Sequence, residues 1–220
     1  MLKVTGPHQI GSFENLYLFE SDYVSECLLL TGGYESHLQE LFKVYLNQDS
    51  VCLDGGAYIG WHSICMSRIA AHVFAFEPIQ EHFQLLKRNV ESNNCNNVTI
   101  TEMGLSDMTG KGVIHQQVMN NNGATALRKE DSGNLQFTTI DLQHFSRLDF
   151  IKLDLEGFEK LALYGGLETI KKFRPTIVLE CWSGWSETSI DFCRQEFKFL
   201  LDLDYTVQHI YVADYLFVPF

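Results

Sequence analysis

The chain has 220 residues, of which 45% are hydrophobic and 20% charged, a composition that is ordinary for one globular domain and argues against a disordered, fibrous or repetitive protein. The formal net charge of −12 would repel a phosphate backbone, and no basic stripe interrupts it, so we expect no nucleic-acid partner. No apolar run approaches the roughly 18 residues of a membrane span and no signal peptide opens the sequence, so we expect no membrane span and a cytoplasmic protein.

Residues 1–50 contain nothing that resembles a linker, and we interpret them as an acidic helical lead-in to a single domain over residues 1–220. From Val51 onward, strand-like apolar runs alternate with segments of helical period, which predicts βαβ units and a mostly parallel sheet. In this α/β core, 51–220, the expected strands cover residues 51–55, 72–76, 98–102, 150–154 and 176–181. The expected helices cover residues 60–69, 78–93, 160–164 and 189–202.

Two segments break the alternation of strands and helices. Residues 111–141 are rich in Asn, Gly and Thr, which predicts strands and a long loop over one end of the sheet. The runs 205–210 and 215–218 predict an antiparallel pair that closes the sheet. The expected fold class is therefore α/β, with a mostly parallel sheet, a C-terminal antiparallel hairpin and helices on both faces.

Several strand-like runs carry an acidic residue at or just beyond their carboxyl ends. These residues are Asp54, Glu77, Asp107, Asp154 and Glu180. In an open α/β sheet, ligands bind outside the carboxyl ends of the strands. Each acid taken alone is also explained as a solvated turn residue or a helix cap, but together they indicate an acid-rimmed binding crevice.

A glycine-rich turn, Asp54-Gly-Gly-Ala-Tyr-Ile-Gly60, lies between the first expected strand and helix, where glycine lets a ligand approach the backbone. It lacks the G-x-G-x-x-G and G-K-[ST] patterns, and Asp54 would oppose a pyrophosphate. Glu77 follows at about the 20-residue spacing at which an acid accepts two ribose hydroxyls. The pattern favours an adenosine ligand with a positive centre and no phosphate, such as S-adenosylmethionine.

The motifs, taken in order, resemble those of FkbM-type S-adenosylmethionine-dependent methyltransferases from about Tyr34 to Trp182. They are Asp54-Gly-Gly-Ala-Tyr-Ile-Gly60, Phe76-Glu77-Pro78, Gly104-Leu-Ser-Asp107, Lys152-Leu-Asp-Leu-Glu-Gly157 and Arg174-Pro175 followed by Glu180. The resemblance implies the class I methyltransferase fold, which is Rossmann-like and has a seven-stranded sheet. It also makes residues 1–220 a single methyltransferase domain.

Carried over position by position, the resemblance implies the placement of the cofactor. Asp54 and the Gly56-Ala57 turn would face the methionine part, with Gly60 in register, and Glu77 would bind the ribose. Ser106 and Asp107 would meet the adenine edge, and Asp154 would lie beside the methyl group. The pair Tyr34-Glu35 resembles a family position near the cofactor, although the start of an amphipathic helix explains it nearly as well.

The run from Lys152 to Gly157 supplies the catalytic candidates. If strand alternation persists, Lys152, Asp154 and Glu156 share one side, where an acceptor hydroxyl would lose its proton. An ion pair explains Lys152 equally well, and a first-turn helix acid explains Glu156. Asp154 and Glu180 also offer oxygen ligands to a divalent cation, Mg²⁺ or Mn²⁺.

Histidine and aromatic residues give weaker indications. One histidine, His115, precedes the Asn-rich loop and is the one expected to reach a substrate. Structural roles are expected for the histidines at three other positions, His62, His72 and His82. Three aromatic residues, Tyr164, Trp182 and Trp185, fit two roles equally well. They suit stacking on the face of a sugar, and they also suit packing in the core.

The resemblance implies O-methylation of a hydroxyl on a sugar, glycan or small natural product, and the acidic surface fits such a neutral acceptor. Two alternatives stay open. The first is a nicotinamide-dependent oxidoreductase, and the second is a non-catalytic module that binds S-adenosylmethionine without turnover. The oligomeric state is also left open.

Overall fold

The computed structural model describes residues 2–182 and 189–220. The N-terminal part consists of a β-hairpin and two helices, β1 (Val4–Ile10), β2 (Phe13–Phe19), α1 (Tyr23–Thr31) and α2 (Ser36–Tyr45). The prediction of a helical lead-in is therefore wrong for residues 4–19. Gly11-Ser12 forms the two-residue turn, with Ile10 paired to Phe13, and such a pair containing glycine is a hairpin signal.

The first half of the α/β core follows the predicted alternation closely. Its elements are β3 (Val51–Gly55), α3 (Trp61–Ser67), β4 (His72–Phe76), α4 (Gln80–Ser92) and β5 (Val98–Thr101). The predicted bounds of β3 and β4 are reproduced. The helix α4 ends at Asn93, its C-cap, where the sequence predicts the end.

A second, four-stranded sheet follows, in the region where the sequence predicts strands and a long loop. Its strands are β6 (Gly104–Leu105), β7 (Gly110–Val118), β8 (Asn121–Lys129) and β9 (Leu135–Thr138), in the order β6-β9-β7-β8. A 3-10 helix at Asp141–Gln143 leads back to the core. The strands β7 and β8 form a long antiparallel hairpin.

The second half of the core completes the sheet. Its elements are β10 (Phe150–Leu153), α5 (Glu159–Tyr164), α6 (Leu167–Phe173), β11 (Thr176–Glu180), α7 (Ile190–Glu196), α8 (Lys198–Leu201), β12 (Tyr205–Tyr211) and β13 (Asp214–Pro219). The helix α6 was not predicted, and the helix predicted over 189–202 is divided into α7 and α8. Within the described ranges, every helix is too short or too polar to cross a bilayer.

The central sheet has seven strands in the order β12-β13-β11-β10-β3-β4-β5. The five strands from β11 to β5 are parallel, and β13 runs antiparallel to both β11 and β12. The predicted sheet with its C-terminal antiparallel hairpin is thus confirmed. The chain order reverses between β3 and β10, and a crevice at such a switch point is where ligands bind in this architecture.

Alternate residues of the central strands belong to two different cores. In β3, Cys52 lies in the cluster that contains α2, α3 and α4 side chains, whereas Leu53 lies in the cluster that contains α5 to α8 side chains. Phe150 and Ile151 of β10 divide in the same way. Because successive strand residues point to opposite faces, the sheet is covered by helices on both faces, as predicted.

The N-terminal hairpin is attached to the core through Asn89 on α4. The Asn89 side chain is fully buried, accepts from the Tyr17 N–H at 2.7 Å, and donates to the carbonyl oxygens of Tyr17 at 2.9 Å and Ile59 at 2.8 Å. Ile59 belongs to the turn after β3. One amide therefore joins the hairpin, a helix and the glycine-rich turn.

We expect Asn89→Ala to lower the free energy of unfolding by roughly 3 kcal/mol, because it leaves two partly buried backbone groups of Tyr17 and the buried carbonyl of Ile59 without this partner. Urea denaturation measures this loss. The matched control is Asn96→Ala, at an exposed position of the turn after α4, which should change stability by less than about 0.5 kcal/mol. Equal effects of the two substitutions would contradict this role for Asn89.

Candidate active site

A cavity of about 660 Å³ opens at the carboxyl edge of the central sheet. Its walls come from the turn after β3, the segment after β4, strand β8, the loop after β10, and helix α7. Such a volume is typical of a small-molecule site. Seven of the predicted site residues line it, namely Gly56, Ala57, Glu77, Lys152, Asp154, Glu156 and Glu180.

The turn after β3 needs glycine at position 56. The φ angle of Gly56 is +76°, and a Cβ there would lie 1.8 Å from the carbonyl oxygen of Asp154. The N–H groups of Gly56 and Ala57 both donate to the Phe76 carbonyl at 3.0 Å. The turn is therefore clamped between β4 and β10, and its backbone forms one wall of the cavity.

The Glu77 carboxylate lies in the wall directly after β4 and is only 4% exposed. It accepts from the Tyr58 N–H at 3.1 Å and from the Ile79 N–H at 2.8 Å. The Nδ1 atom of His82 lies 3.4 Å from it. Glu77 thus fixes the glycine-rich turn while presenting a carboxylate to the cavity.

Lys152 carries a buried positive charge between two acids. Its Nζ atom lies 3.4 Å from Asp54 Oδ1 and 3.6 Å from Asp154 Oδ2. Burial opposes the charged form of Lys152, but Asp54 and Asp154 outweigh it and raise its pKa. The ion pair considered for Lys152 is therefore present, and this residue holds together the ends of β3 and β10.

Three carboxylates, of which Asp154 is paired with Lys152, lie close together in the cavity lining. One oxygen each of Asp154, Glu156 and Glu180 lies within 4.8 Å of the others, a spacing that would hold a metal ion. Burial, reinforced by Asp154, raises the pKa of Glu156 to about 8 and that of Glu180 to about 9. Burial also raises the pKa of Asp154, against the attraction of Lys152.

The turn that carries Glu156 is held by Glu159. This residue was not among the site residues predicted from the sequence. Glu159 accepts from the Leu155 N–H at 2.6 Å and from the Gly157 N–H at 3.1 Å. This carboxylate supports a left-handed Glu156, at φ +52°. Burial raises the pKa of Glu159 to about 7. In the sequence, Glu159 is marked only by being the third acidic residue of the run that begins with Asp154 and Glu156.

Glu35 and His62 form a hydrogen-bonded pair in the cavity wall, with 2.8 Å between Glu35 Oε2 and His62 Nε2. Although burial opposes it, the bond to His62 lowers the pKa of Glu35 to about 2. Tyr34 lines the same wall. The pair Tyr34-Glu35 therefore lies at the cavity, and His62 and His82 line it while each contacts an acid.

Four predicted cofactor residues lie outside the cavity lining. Asp54 is fully buried behind it and accepts from the Ser63 hydroxyl at 2.5 Å. Gly60 caps α3 with φ +90°, and a Cβ there would lie 2.7 Å from Leu86. Ser106 is buried and donates to Asp107, which pairs with Lys129 of β8. These positions serve packing and attachment in this structure.

The remaining candidates divide between the cavity and the surface. Trp182 lines the cavity. The histidine expected at a substrate, His115, is exposed on β7 outside the lining, in a run of exposed residues where the strand register shifts between Ile114 and Gln116. Tyr164 also lies outside, stacked on Phe199 at 4.6 Å. His72 is bonded to Thr99 on the sheet edge, and Trp185 lies outside the described residues.

An open α/β sheet with a glycine turn, a distant acid and a cavity at the switch point is an architecture in which nucleotide ligands bind at the carboxyl edge of the sheet. The family described as methyltransferase FkbM domain matches residues 54–207. The chain belongs to this family of methyltransferases. No curated protein matches the sequence.

Solved structures share the fold at low sequence identity. An FkbM methyltransferase from Methylobacillus flagellatus KT is 17% identical, with a TM-score of 0.56 over 81% of this chain and 50% of that one. An rRNA methylase from Streptococcus thermophilus is 10% identical, with a TM-score of 0.51 and coverage of 82% and 91%. A Streptococcus mutans protein in complex with S-adenosylhomocysteine is 13% identical, with a TM-score of 0.50 and coverage of 83% and 94%. The chain thus spans about half the length of the FkbM structure.

We expect Glu180→Gln to stabilise the ligand-free protein at pH 8 by at least about 1 kcal/mol, measured by urea unfolding in EDTA. The pKa of Glu180 rises from 4.5 to about 9 on folding, so wild-type stability is lost as pH rises through that window. Near pH 4 the difference should vanish. A pH-independent difference, or an equal effect of the surface control Glu168→Gln, would contradict the raised pKa of Glu180 in the folded protein.

Proposed function

We propose that the cavity binds S-adenosylmethionine and that the chain transfers its methyl group to a hydroxyl. The ribose hydroxyls bond to Glu77, the methionine part follows the Gly56-Ala57 turn, and the methyl group faces Asp154. The observation that carries the proposal is the placement of that turn and Glu77 on one cavity at the switch point. The bound S-adenosylhomocysteine in the Streptococcus mutans protein supports it.

The charge of the cavity supports a cationic cofactor. The Lys152 ammonium is engaged by Asp54 and Asp154, and among residues 2–182 and 189–220 Glu156 and Glu180 have no ion pair with a basic side chain. A sulfonium and an ammonium group placed there would lower the pKa of these acids and stabilise their charged forms. A nicotinamide dinucleotide would instead bring a pyrophosphate into a field of carboxylates, and the family match is to methyltransferases.

The acceptor is a hydroxyl of a sugar, glycan or small natural product. Aromatic side chains also line the cavity, at Trp182, Phe192 and Phe197, and aromatic faces suit the apolar side of a sugar ring. The net charge of −12 disfavours RNA. The likeness to an rRNA methylase, at 10% identity, is a likeness of fold.

The reaction is an in-line displacement in which the acceptor oxygen forms a bond to the methyl carbon as the carbon–sulfur bond breaks. The electron pair of that bond stays on sulfur, and the hydroxyl proton passes to the Asp154 or Glu156 carboxylate. The pKa of Glu156 is about 8 in the ligand-free protein. The positive charge of bound S-adenosylmethionine would lower this pKa and favour the carboxylate form of Glu156, which can accept the proton. Glu159 holds Glu156 in place.

The proposal also includes a divalent cation at the cluster of carboxylates. Asp154, Glu180 and also Glu156 have oxygen atoms close enough together to be ligands of one ion, and oxygen donors suit Mg²⁺ or Mn²⁺. Such an ion would supply Lewis-acid polarisation of a coordinated oxygen. Asp154, Glu156 and Glu180 would hold this ion, and the ion pair of Asp154 with Lys152 would compete with its coordination.

We expect Glu77→Gln to weaken S-adenosylmethionine binding by roughly 10- to 100-fold, or about 1.5–3 kcal/mol, because charged hydrogen bonds to the ribose are lost. Isothermal titration measures this change, with the exposed Glu91→Gln on α4 as the control. A parallel titration with NAD should give no binding. An unchanged Kd in Glu77→Gln would remove ribose recognition from this residue, and NAD binding would support the oxidoreductase alternative.

We expect Glu156→Gln to lower single-turnover methyl transfer by about 100-fold while cofactor affinity stays within a few-fold, since the proton acceptor is removed but the proposed contacts of Glu77 and the Gly56-Ala57 turn are kept. Labelled S-adenosylmethionine is incubated with panels of sugars, glycans, small hydroxyl compounds and RNA. Label in an ether of a hydroxyl acceptor is the expected product.

The same assay separates the alternatives. Normal turnover of Glu156→Gln with an inactive Asp154→Asn would make Asp154 the base. Transfer only to RNA or to amines would contradict the acceptor class, and cofactor binding without any transfer would leave a binding module. Full activity in excess EDTA would refute the metal, whereas a loss restored by Mg²⁺ or Mn²⁺ would support it.

A further inference from the structure

Asp22 is a completely buried carboxylate that lies outside the cavity lining. Its Oδ2 atom accepts from the Ser25 N–H at 3.0 Å and from the Ser25 hydroxyl at 2.9 Å, which caps α1. Its Oδ1 atom accepts from the Asn122 N–H at 2.9 Å and from the Asn122 side-chain amide at 3.3 Å. The Asp22 carboxylate therefore joins helix α1 to the tip of the β7–β8 hairpin.

The β7–β8 hairpin covers one side of the cavity. Residues 121 and 123–127 of β8 line it, together with the glycine-rich turn and Glu77. Near its tip, the Tyr23 N–H donates to the Asn120 carbonyl at 2.8 Å. Near its far end, Lys129 pairs with Asp107. The hairpin is thus fixed to the body of the protein at both ends, and the tip depends on Asp22 and its neighbour.

Tyr58 links this attachment to the cofactor turn. It occupies the turn in a left-handed conformation, at φ +50°, and lines the cavity. Burial raises the pKa of its hydroxyl, and the nearby Asp22 raises it further. A Cβ added at Gly123 would lie 3.8 Å from the Tyr58 ring, and Asn122 is close enough to Tyr58 to affect the pKa of its hydroxyl, so the turn and the tip of the hairpin are neighbours.

We propose that Asp22 is a positioning residue that holds the β7–β8 hairpin over the bound cofactor and thereby slows its release. The inference rests on the proposed cofactor site. Hydrogen bonds to a buried charged group are strong, and Asp22 makes two on each side of the junction. Because Asp22 does not line the cavity, its loss changes how readily the cover opens and leaves the direct contacts of the ligand in place.

The test measures the dissociation rate of labelled S-adenosylhomocysteine after a chase with unlabelled ligand. We expect Asp22→Ala to raise this rate about tenfold or more while the association rate stays within a few-fold. Asn122→Asp is the second variant, because it places a like charge against Asp22 and leaves the cap of α1 intact. It should accelerate release in the same direction.

Two control variants distinguish an effect on the attachment of the β7–β8 hairpin from a general loss of protein stability. Asp141→Ala removes a carboxylate that caps α6 by accepting from the Glu168 and Thr169 N–H groups, away from the hairpin. Ser25→Ala removes only a bond on the helix side of Asp22. Both should keep the release rate within about twofold of wild type.

The outcomes are distinct. Faster release in Asp22→Ala and Asn122→Asp alone supports the proposal. Wild-type release rates in those two variants, or equal acceleration by Asp141→Ala, overturn it while leaving the cofactor site standing. A wild-type protein that does not bind S-adenosylhomocysteine overturns the cofactor site and this proposal together.

Discussion

The ion pair network of Lys152 sets the geometry of the whole site. A lysine that is 3% exposed remains charged only with acids beside it, and Asp54 and Asp154 supply them from the neighbouring strands β3 and β10. The same closeness places the Asp154 carbonyl where a Cβ of residue 56 would otherwise lie. Glycine at 56, the open backbone of the turn and the surplus of carboxylates in the cavity all follow from this arrangement.

Around that network the cavity lining contains two groups of side chains. Glu77 and the Gly56-Ala57 turn form one group, because Glu77 accepts from the N–H of the next turn residue, Tyr58. Asp154, Glu156 and Glu180 form the other, with one oxygen of each within 4.8 Å of the others. In the proposed reaction the first group binds the donor and the second accepts the proton of the acceptor.

The sequence predicts the central sheet well because its strands are short apolar runs separated by clear helical segments, as at β3 and β4. It fails at the N-terminal hairpin, where burial of β2 depends on Asn89, more than 70 positions away along the chain. Lys152, Asp154 and Glu156 were found because one motif carries all three. Asp22 and Glu159 were missed because their importance lies in backbone N–H groups that they satisfy, which composition and spacing do not reveal.

A crystal structure of the protein with S-adenosylhomocysteine would fix both ends of the ligand in the cavity at once. We expect the ribose hydroxyls within hydrogen-bonding distance of Glu77, the amino-acid part along the Gly56-Ala57 turn, and the sulfur facing Asp154. A ligand bound elsewhere, or reversed so that its sulfur lies far from Asp154 and Glu156, would contradict this placement.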